Sequence, residues 1–296
     1  MAVRYVDGIP AFMAVHARLL DRRRSELILG DGTAAAVLTA LAAHRNADGG
    51  YGSGLEPDLR SAGSQPVSAL HAFEVFEEIL PDTTPDAARL CDWLGSITLA
   101  DGGLPFALPI TDPAGCAPFF LDADATRSSL HMTSMLAGMA HRIARHDPAV
   151  RDHPWLATAT EHSLRRIREL DGPGHALEFR YALQFLDTVH DTVPGADAEL
   201  RRLGAFIPAS GSVPVSDGAE DEAMNPLDFA PVPGRPIRAF FSDAAIDADL
   251  RRLAAQQRDD SGWTVDWACY SPVAALEWRG WATVRALTLL RANTHG

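Results

Sequence analysis

The sequence predicts an all-α fold made of repeated helix pairs, and three observations carry that reading. Ala- and Leu-rich runs with helical spacing follow one another along nearly all of the 296 residues, and no convincing alternation of period two interrupts them. The runs are separated by a recurring phrase in which a Gly-rich break is set among acidic and aromatic residues. Its clearest instances are Asn46-Ala47-Asp48-Gly49-Gly50-Tyr51-Gly52, Asp101-Gly102-Gly103-Leu104-Pro105-Phe106 and Asp259-Asp260-Ser261-Gly262-Trp263. Weaker copies stand at Asp171-Gly172-Pro173-Gly174 and Ser210-Gly211-Ser212. From Asp48 to Asp101 is 53 positions, a length that fits two helices and their connections.

Taken in order, helices are expected over residues 11–29, 33–44, 67–80, from Thr84 onward, and over 124–146, 155–170, 175–190, 196–206, 243–257 and 271–292. Asp31-Gly32 is placed to cap the run Thr33 to His44. In the run after Pro66, Leu70, Phe73, Val75, Phe76 and Ile79 fall near helical spacing, and Pro81 ends it. Thr84-Pro85-Asp86 places a capping hydroxyl before a proline at the first helical position. The proline-rich stretch Asn225 to Pro236 breaks the rhythm, as a short kinked helix or as a loop folded over an opening. An isolated helix pair cannot bury its apolar face, so such pairs stack, as an open solenoid or a closed ring. Roughly six pairs suffice to close a double-layered α/α toroid, and one domain spanning 1–296 is expected.

Composition removes several functional classes. The formal net charge is −13, which repels phosphate backbones, so nucleic acid is not an expected partner. All 26 basic residues are arginine; a Schiff-base lysine, a pyridoxal phosphate attachment and a P-loop lysine are therefore excluded. Cys91, Cys116 and Cys269 are scattered and odd in number, neither a disulfide framework nor a metal clip. No run is long and apolar enough for a membrane span. The first residues carry no apolar run before a small-residue cleavage site, so a cytoplasmic location is expected.

The Asp-Gly-Gly-aromatic breaks resemble the repeats of the terpene cyclase and protein prenyltransferase superfamily, which implies an α/α toroid over nearly the whole chain. Leu121-Asp122-Ala123-Asp124-Ala125-Thr126 is similar to the Asp-x-Asp-Asp-Thr motif of class II terpene cyclases, in which the middle aspartic acid protonates an alkene or epoxide at the start of an inner helix. The resemblance implies Asp124 as proton donor and Asp122 as an orienting or relaying group; Ala125 departs from the pattern. Val265-Asp266-Trp267-Ala268-Cys269-Tyr270-Ser271 is similar to a zinc-ligating region of prenyltransferase β subunits. The Asp to Cys spacing is one residue too long and the only later histidine is His295, so no metal is expected. The helix holding Glu277-Trp278-Arg279-Gly280-Trp281 is also similar to uncharacterised bacterial proteins with these repeats.

The residues themselves suggest an acid-lined mouth. Glu56 and Asp58, Asp122 and Asp124, the group Asp217, Glu220, Asp221 and Glu222, and Asp266 all fall near the expected starts of inner helices. Converging carboxylates act as general acid and base or hold a hard cation. Burial and a neighbouring carboxylate raise a carboxyl pKa, whereas a helix N-terminus lowers it. Phe119, Phe120, Tyr181, Trp263, Trp267 and Trp278 are candidates to line a cavity and stabilise a carbocation. His131 lies seven residues after Asp124, about two turns on, placed to modulate it. The plain alternatives are helix caps for Asp122 and Asp124, a solvated loop for Glu220 to Glu222, core packing for the aromatics and structural roles for His71 and His131.

Three functions follow. The first is protonation-initiated cyclisation of a linear isoprenoid, with Asp124 and Asp122 as the acids and Glu56, Asp58, Phe120, His131, Trp263, Asp266, Trp267 and Trp278 around the substrate. The second is acid–base chemistry on a polar, carbohydrate-like substrate by paired carboxylates, Glu56 and Asp58 with Asp124. The third is a protein that holds a hydrophobic small molecule unchanged. No cofactor is expected, although a diphosphate-bearing substrate would bring Mg²⁺, and a lid, a homodimer or another partner would close the mouth.

Overall fold

The computed structural model describes residues 7–216, 218 and 222–294. Asp217, Glu220, Asp221 and His295 lie outside them. Helices hold 56% of the chain, and the single sheet among the described residues has two strands, so the protein is all-α. The chain divides into two compact units, Met1–Ala40 with Ile207–Gly296, and Leu41–Phe206.

The first unit opens with α1 (Ile9–His16), α2 (Leu19–Leu29) and α3 (Ala34–Leu41). The expected single helix over 11–29 is two, because Ala17 and Arg18 adopt extended ψ angles of 153° and 152°. The second unit contributes α4 (Pro66–Glu78), α5 (Pro85–Ser96), α6 (Pro118–Leu121), α7 (Leu130–Ala144), α8 (Pro148–Arg151), α9 (Pro154–Ile167), α10 (Ala176–Val189) and α11 (Ala196–Gly204). The chain then returns to the first unit through a hairpin of β1 (Val213–Pro214) and β2 (Ala223–Met224), followed by α12 (Pro226–Phe229), α13 (Asp243–Ala255) and α14 (Pro272–Thr294). The proline-rich stretch forms the single-turn α12 and a 3₁₀ turn, Pro236–Phe240.

In the second unit α7 is central. It buries 12 of its 15 residues, the mark of a helix surrounded by protein, and it packs against α4, α9 and α10. Gly138 lets it approach α10 closely, since a Cβ there would meet the Phe185 Cα at 3.4 Å. α5 packs on α4 and α9, and α11 on α10. Helix pairing is thus a property of this unit. In the first unit α14 packs on both α1 and α2. Gly280 makes room, for a Cβ there would meet Asp21 Oδ2 at 3.0 Å. Arg18 joins the two helices, donating to buried Asp21 at 2.9 Å and lying 3.9 Å from Glu277.

The recurring phrase is a recurring turn. Asp48, Asp101 and Asp260 each accept, through Oδ1, the amide two residues ahead, at 2.9, 3.1 and 3.1 Å. Each turn closes by a bond from the amide two residues before the aspartate to the carbonyl two residues after it, at 2.9 Å in all three. The middle residue has positive φ, 91° at Gly49, 87° at Gly102 and 72° at Ser261, a region that favours glycine. The next glycine is needed for space: a Cβ would come within 2.6 Å of Trp93 Cε2 at Gly50, 2.5 Å of His162 Cε1 at Gly103 and 2.4 Å of Phe12 Cε2 at Gly262. Ser210 makes the weaker copy with its hydroxyl, accepting from the Ser212 amide at 3.3 Å. There Pro208 stands at the position that donates the closing bond, and proline has no amide hydrogen.

Candidate functional site

The loop after each turn is anchored to the helix that follows. Leu104 accepts the Ser129 amide at 2.7 Å and donates to Thr133 Oγ1 at 2.9 Å, which places Phe106 beside the first turn of α7. Trp263 is held in the same way, donating its amide to Thr283 Oγ1 of α14 at 3.0 Å.

The segment 122–129 is a loop rather than the start of a helix, which corrects the helix expected from residue 124. Asp122 ends α6, its amide donating to the Pro118 carbonyl at 2.9 Å. α7 begins at Leu130, capped by Ser129 Oγ on the Met132 amide at 3.2 Å. The local alternative wins because Asp124 Oδ1 accepts both the Thr126 amide, at 2.9 Å, and the Thr126 hydroxyl, at 2.6 Å, side-chain bonds that compete with helix. Those two bonds hold the exposed Asp124 carboxyl below the usual carboxylate range. Asp122 is exposed as well.

Beside this loop runs a row of aromatic rings. Phe119 and Phe120 from α6 lie 4.6 Å apart, and Phe120 stacks on Phe106 at 5.6 Å and 17°. Phe106 is 5.8 Å from His131, and His131 stacks on Tyr181 of α10 at 5.0 Å and 15°. Arg180 closes the row, its Cζ 4.7 Å from the Tyr181 centroid. Phe106, His131 and Tyr181 are half-buried and Phe119 is exposed. Burial first, and then the positive potential of His175 and Arg180, push the His131 pKa down to about 3. His131 is therefore a neutral ring in this row. The structure thus unites Phe119, Phe120, His131 and Tyr181, and adds Phe106, which the sequence places in a Gly-rich break.

Glu56 and Asp58 are buried, 5% and 3% exposed, too enclosed to line an open mouth. Glu56 Oε2 bonds His71 Nε2 at 2.9 Å, and His71 Nδ1 lies 3.2 Å from Glu74 Oε2. Burial pulls the His71 pKa down, but the carboxylates of Glu74 and Glu56 outweigh it and hold the pKa up at about 9. An imidazolium between two carboxylates satisfies charges that would otherwise be costly to bury. Asp58 donates its amide to Glu56 Oε1 at 3.0 Å, and its carbonyl accepts the Ala117 amide at 2.8 Å. Through Leu59, Cys116, Ala117 and Phe120, which pack in one apolar cluster, this ionic group underpins the aromatic row. The sequence assigns His71 a structural role; its i,i+3 spacing to Glu74 on an apolar helix is the signal that points to this ionic group.

In the first unit Trp263 belongs to the core, 1% exposed, with Nε1 donating to the Leu253 carbonyl at 2.8 Å. It has no face left for a ligand, which corrects its expected place around a substrate. Asp266 is exposed. Trp267 and Trp278 meet at 5.1 Å, joined by Trp281, which follows Trp278 by three residues on the same helix.

A shallow groove of about 450 Å³ on the second unit, bordered by His141, Leu156, Thr160, Leu164 and Val193, contains none of these candidates. Among the described residues no three His, Cys, Asp or Glu side chains converge as metal ligands, and no helix is long and apolar enough to cross a membrane. No protein-family model matches the chain, and no curated protein matches it.

Proposed function

We propose that the protein binds a linear isoprenoid, or a molecule of the same unsaturated hydrocarbon character, along the row Phe119, Phe120, Phe106, His131 and Tyr181. The observation that carries this is the continuity of the row, five rings from four separate segments, of which Phe106, His131 and Tyr181 are half-buried and Phe119 exposed. Aromatic faces offer a large apolar contact at low entropic cost and attract the electron-poor edge or cationic centre of a ligand. A neutral His131 preserves that character, where an imidazolium would demand water or a counter-ion. The reading includes closure of the helix pairs into an α/α toroid and a cytoplasmic location.

Protonation-initiated cyclisation is a second reading, favoured by the position of the Asp-x-Asp-Ala-Thr motif directly after Phe119 and Phe120. It requires a protonated carboxyl facing the hydrocarbon. Asp124, exposed and stabilised as an anion by Thr126, is the poorer donor, so this reading moves the role to Asp122.

The test incubates the purified chain with linear isoprenoid alcohols, their diphosphates with and without Mg²⁺, and squalene. Gas chromatography with mass detection then follows bound and released species. Retention of an unchanged isoprenoid, lost in Tyr181→Ala and Phe106→Ala, supports binding. A cyclic product abolished in Asp122→Asn supports the second reading. Failure of every isoprenoid to bind removes both.

A further inference from the structure

The shallow groove of the second unit runs along α9. Leu156, Thr160 and Leu164 recur every four residues and so form one row on that helix, about 12 Å long at the rise of an α-helix. Leu156 and Leu164 are buried, 3% and 8% exposed, and make an apolar floor on either side of Thr160. The turn after α10 supplies a wall, half-buried Val193 and exposed Pro194, and is fixed there by the Val193 amide on the Val189 carbonyl at 3.0 Å. His141 reaches the groove from α7 and meets Thr160 in the middle of the row. A volume of about 450 Å³ is that of a site for a small organic molecule.

The state of His141 follows from its partner. The Thr160 hydroxyl donates to the Leu156 carbonyl at 2.6 Å, the bond a helical threonine makes to the residue four before it. Its oxygen therefore accepts from His141 Nε2, at 2.7 Å, and the lone pair of the ring is left on Nδ1. Burial first, and then the positive charge of Arg145, lower the His141 pKa to about 4, so the ring is neutral at ordinary pH. Among the described residues Nδ1 has no hydrogen-bond partner, and it is not sealed from solvent. The groove thus presents one fixed acceptor, and Thr160 has no hydrogen left to give. Arg151, which donates to Asp152 at 3.2 Å, and exposed Glu161 border the groove with opposite charges, which select neither an anion nor a cation. The matching occupant has a flat apolar body, one donor for Nδ1, no acceptor in need of a donor and no net charge. We propose that this groove binds a neutral aromatic bicycle with a single N–H, a ligand of the indole class, with its N–H on His141 Nδ1. The site shares no residue with the aromatic row, so it stands or falls independently of isoprenoid binding.

The experiment titrates the full chain with indole and, in parallel, with N-methylindole, the same bicycle without the donor. Carbon–hydrogen correlation NMR follows the imidazole signals of His141 and His131. The expected result is a saturable shift of His141 with indole in the millimolar range, His131 unmoved, and binding of N-methylindole about tenfold weaker. His141→Phe keeps a ring in place but removes the acceptor, and brings the two ligands, followed by their own line broadening, to within about twofold of each other. Val193→Ala trims the wall and weakens both about threefold; it serves where far-ultraviolet circular dichroism shows His141→Phe to be misfolded. Equal affinities for the two ligands in the parent chain, a shift of His131 in place of His141, or no saturation with indole up to about 10 mM overturns the proposal.

Discussion

Ser128 donates its hydroxyl to Asp101 Oδ2 at 2.6 Å, tying the turn that ends one helix pair to the residue just before the N-cap of α7. The same carboxylate holds the Gly103 amide through its other oxygen. Ser64 makes the matching contact to Asp48, at 2.8 Å, and Arg279 to Asp260, through both oxygens at 2.8 Å. The repeated aspartates are joints between elements.

Breaking one joint is measurable. Asp101→Ala loses the Ser128 and Gly103 bonds and is expected to lower stability by about 1–2 kcal/mol, while Ser128→Ala loses only one bond and costs about half as much. Asp101→Asn keeps an acceptor and falls between wild type and alanine. Urea unfolding monitored by circular dichroism distinguishes these values; a neutral Asp101→Ala would show that the turn stands without its carboxylate.

Glycines in the chain differ sharply in what they permit. Gly103→Ala places a Cβ 2.5 Å from both Ser128 Cβ and His162 Cε1, so about 1–3 kcal/mol of overpacking is expected. Gly172→Ala meets nothing within 4 Å and is expected to be neutral or to stabilise by up to about 1 kcal/mol, by narrowing the unfolded ensemble. A thermal melt of the two variants checks the contrast, and equal midpoints would refute the steric account.

Two histidines make stability depend on pH in opposite directions. The His71 pKa is raised from 6.5 to about 9, so its contribution is complete below pH 6.5 and disappears as pH rises through 9. The His131 pKa is lowered from 6.5 to about 3, so its neutral form favours folding above pH 6.5, and that advantage is lost as pH falls toward 3. A stability maximum near neutral pH follows, with His71→Gln flattening the alkaline side and His131→Phe the acid side. The alkaline loss is on the order of 3 kcal/mol in wild type. Urea midpoints measured from pH 4 to 10 test this, and an unchanged alkaline limb in His71→Gln would remove His71 from the explanation.

Among the tryptophans, Trp263 carries stability. Trp263→Ala is expected to cost about 3–5 kcal/mol through the cavity it leaves. Trp263→Phe spares most of the volume but leaves the Leu253 carbonyl without its indole donor, a loss of about 1–3 kcal/mol. Denaturant midpoints for the two variants order these effects, and a milder Trp263→Ala would contradict its place in the core.

Much of the fold is legible in the sequence because helices here are bounded by local signals. Thr84 caps α5 through a 3.4 Å bond to the Asp86 amide, and α4 ends before cis Pro81 as its pattern indicates. The break at Ala17 and Arg18 was hidden because neither residue disfavours helix; the Arg18–Asp21 pair and the packing of α14 decide it. The site was less legible. Asp124 has the composition of an acid at a helix start, yet the hydroxyl two residues on turns it into a loop acceptor. Trp263 and Trp267 stand four residues apart with the same side chain, and only the surrounding chain shows that one is core and the other partly open. The Glu56–His71 bond spans 15 residues, a distance no local pattern reveals.

The docking of α14 on α1 and α2 has a consequence for synthesis on the ribosome. Arg291 bonds the Ile28 carbonyl across 263 residues, so α1 and α2 emerge long before their partner exists. At typical elongation rates that interval is on the order of tens of seconds, during which the whole of Leu41–Phe206 has emerged and begun to fold. Helices α1 and α2 therefore pass through a period in which their apolar residues Ile9, Phe12, Met13 and Leu20, buried in the finished fold, lack the cover that α14 brings.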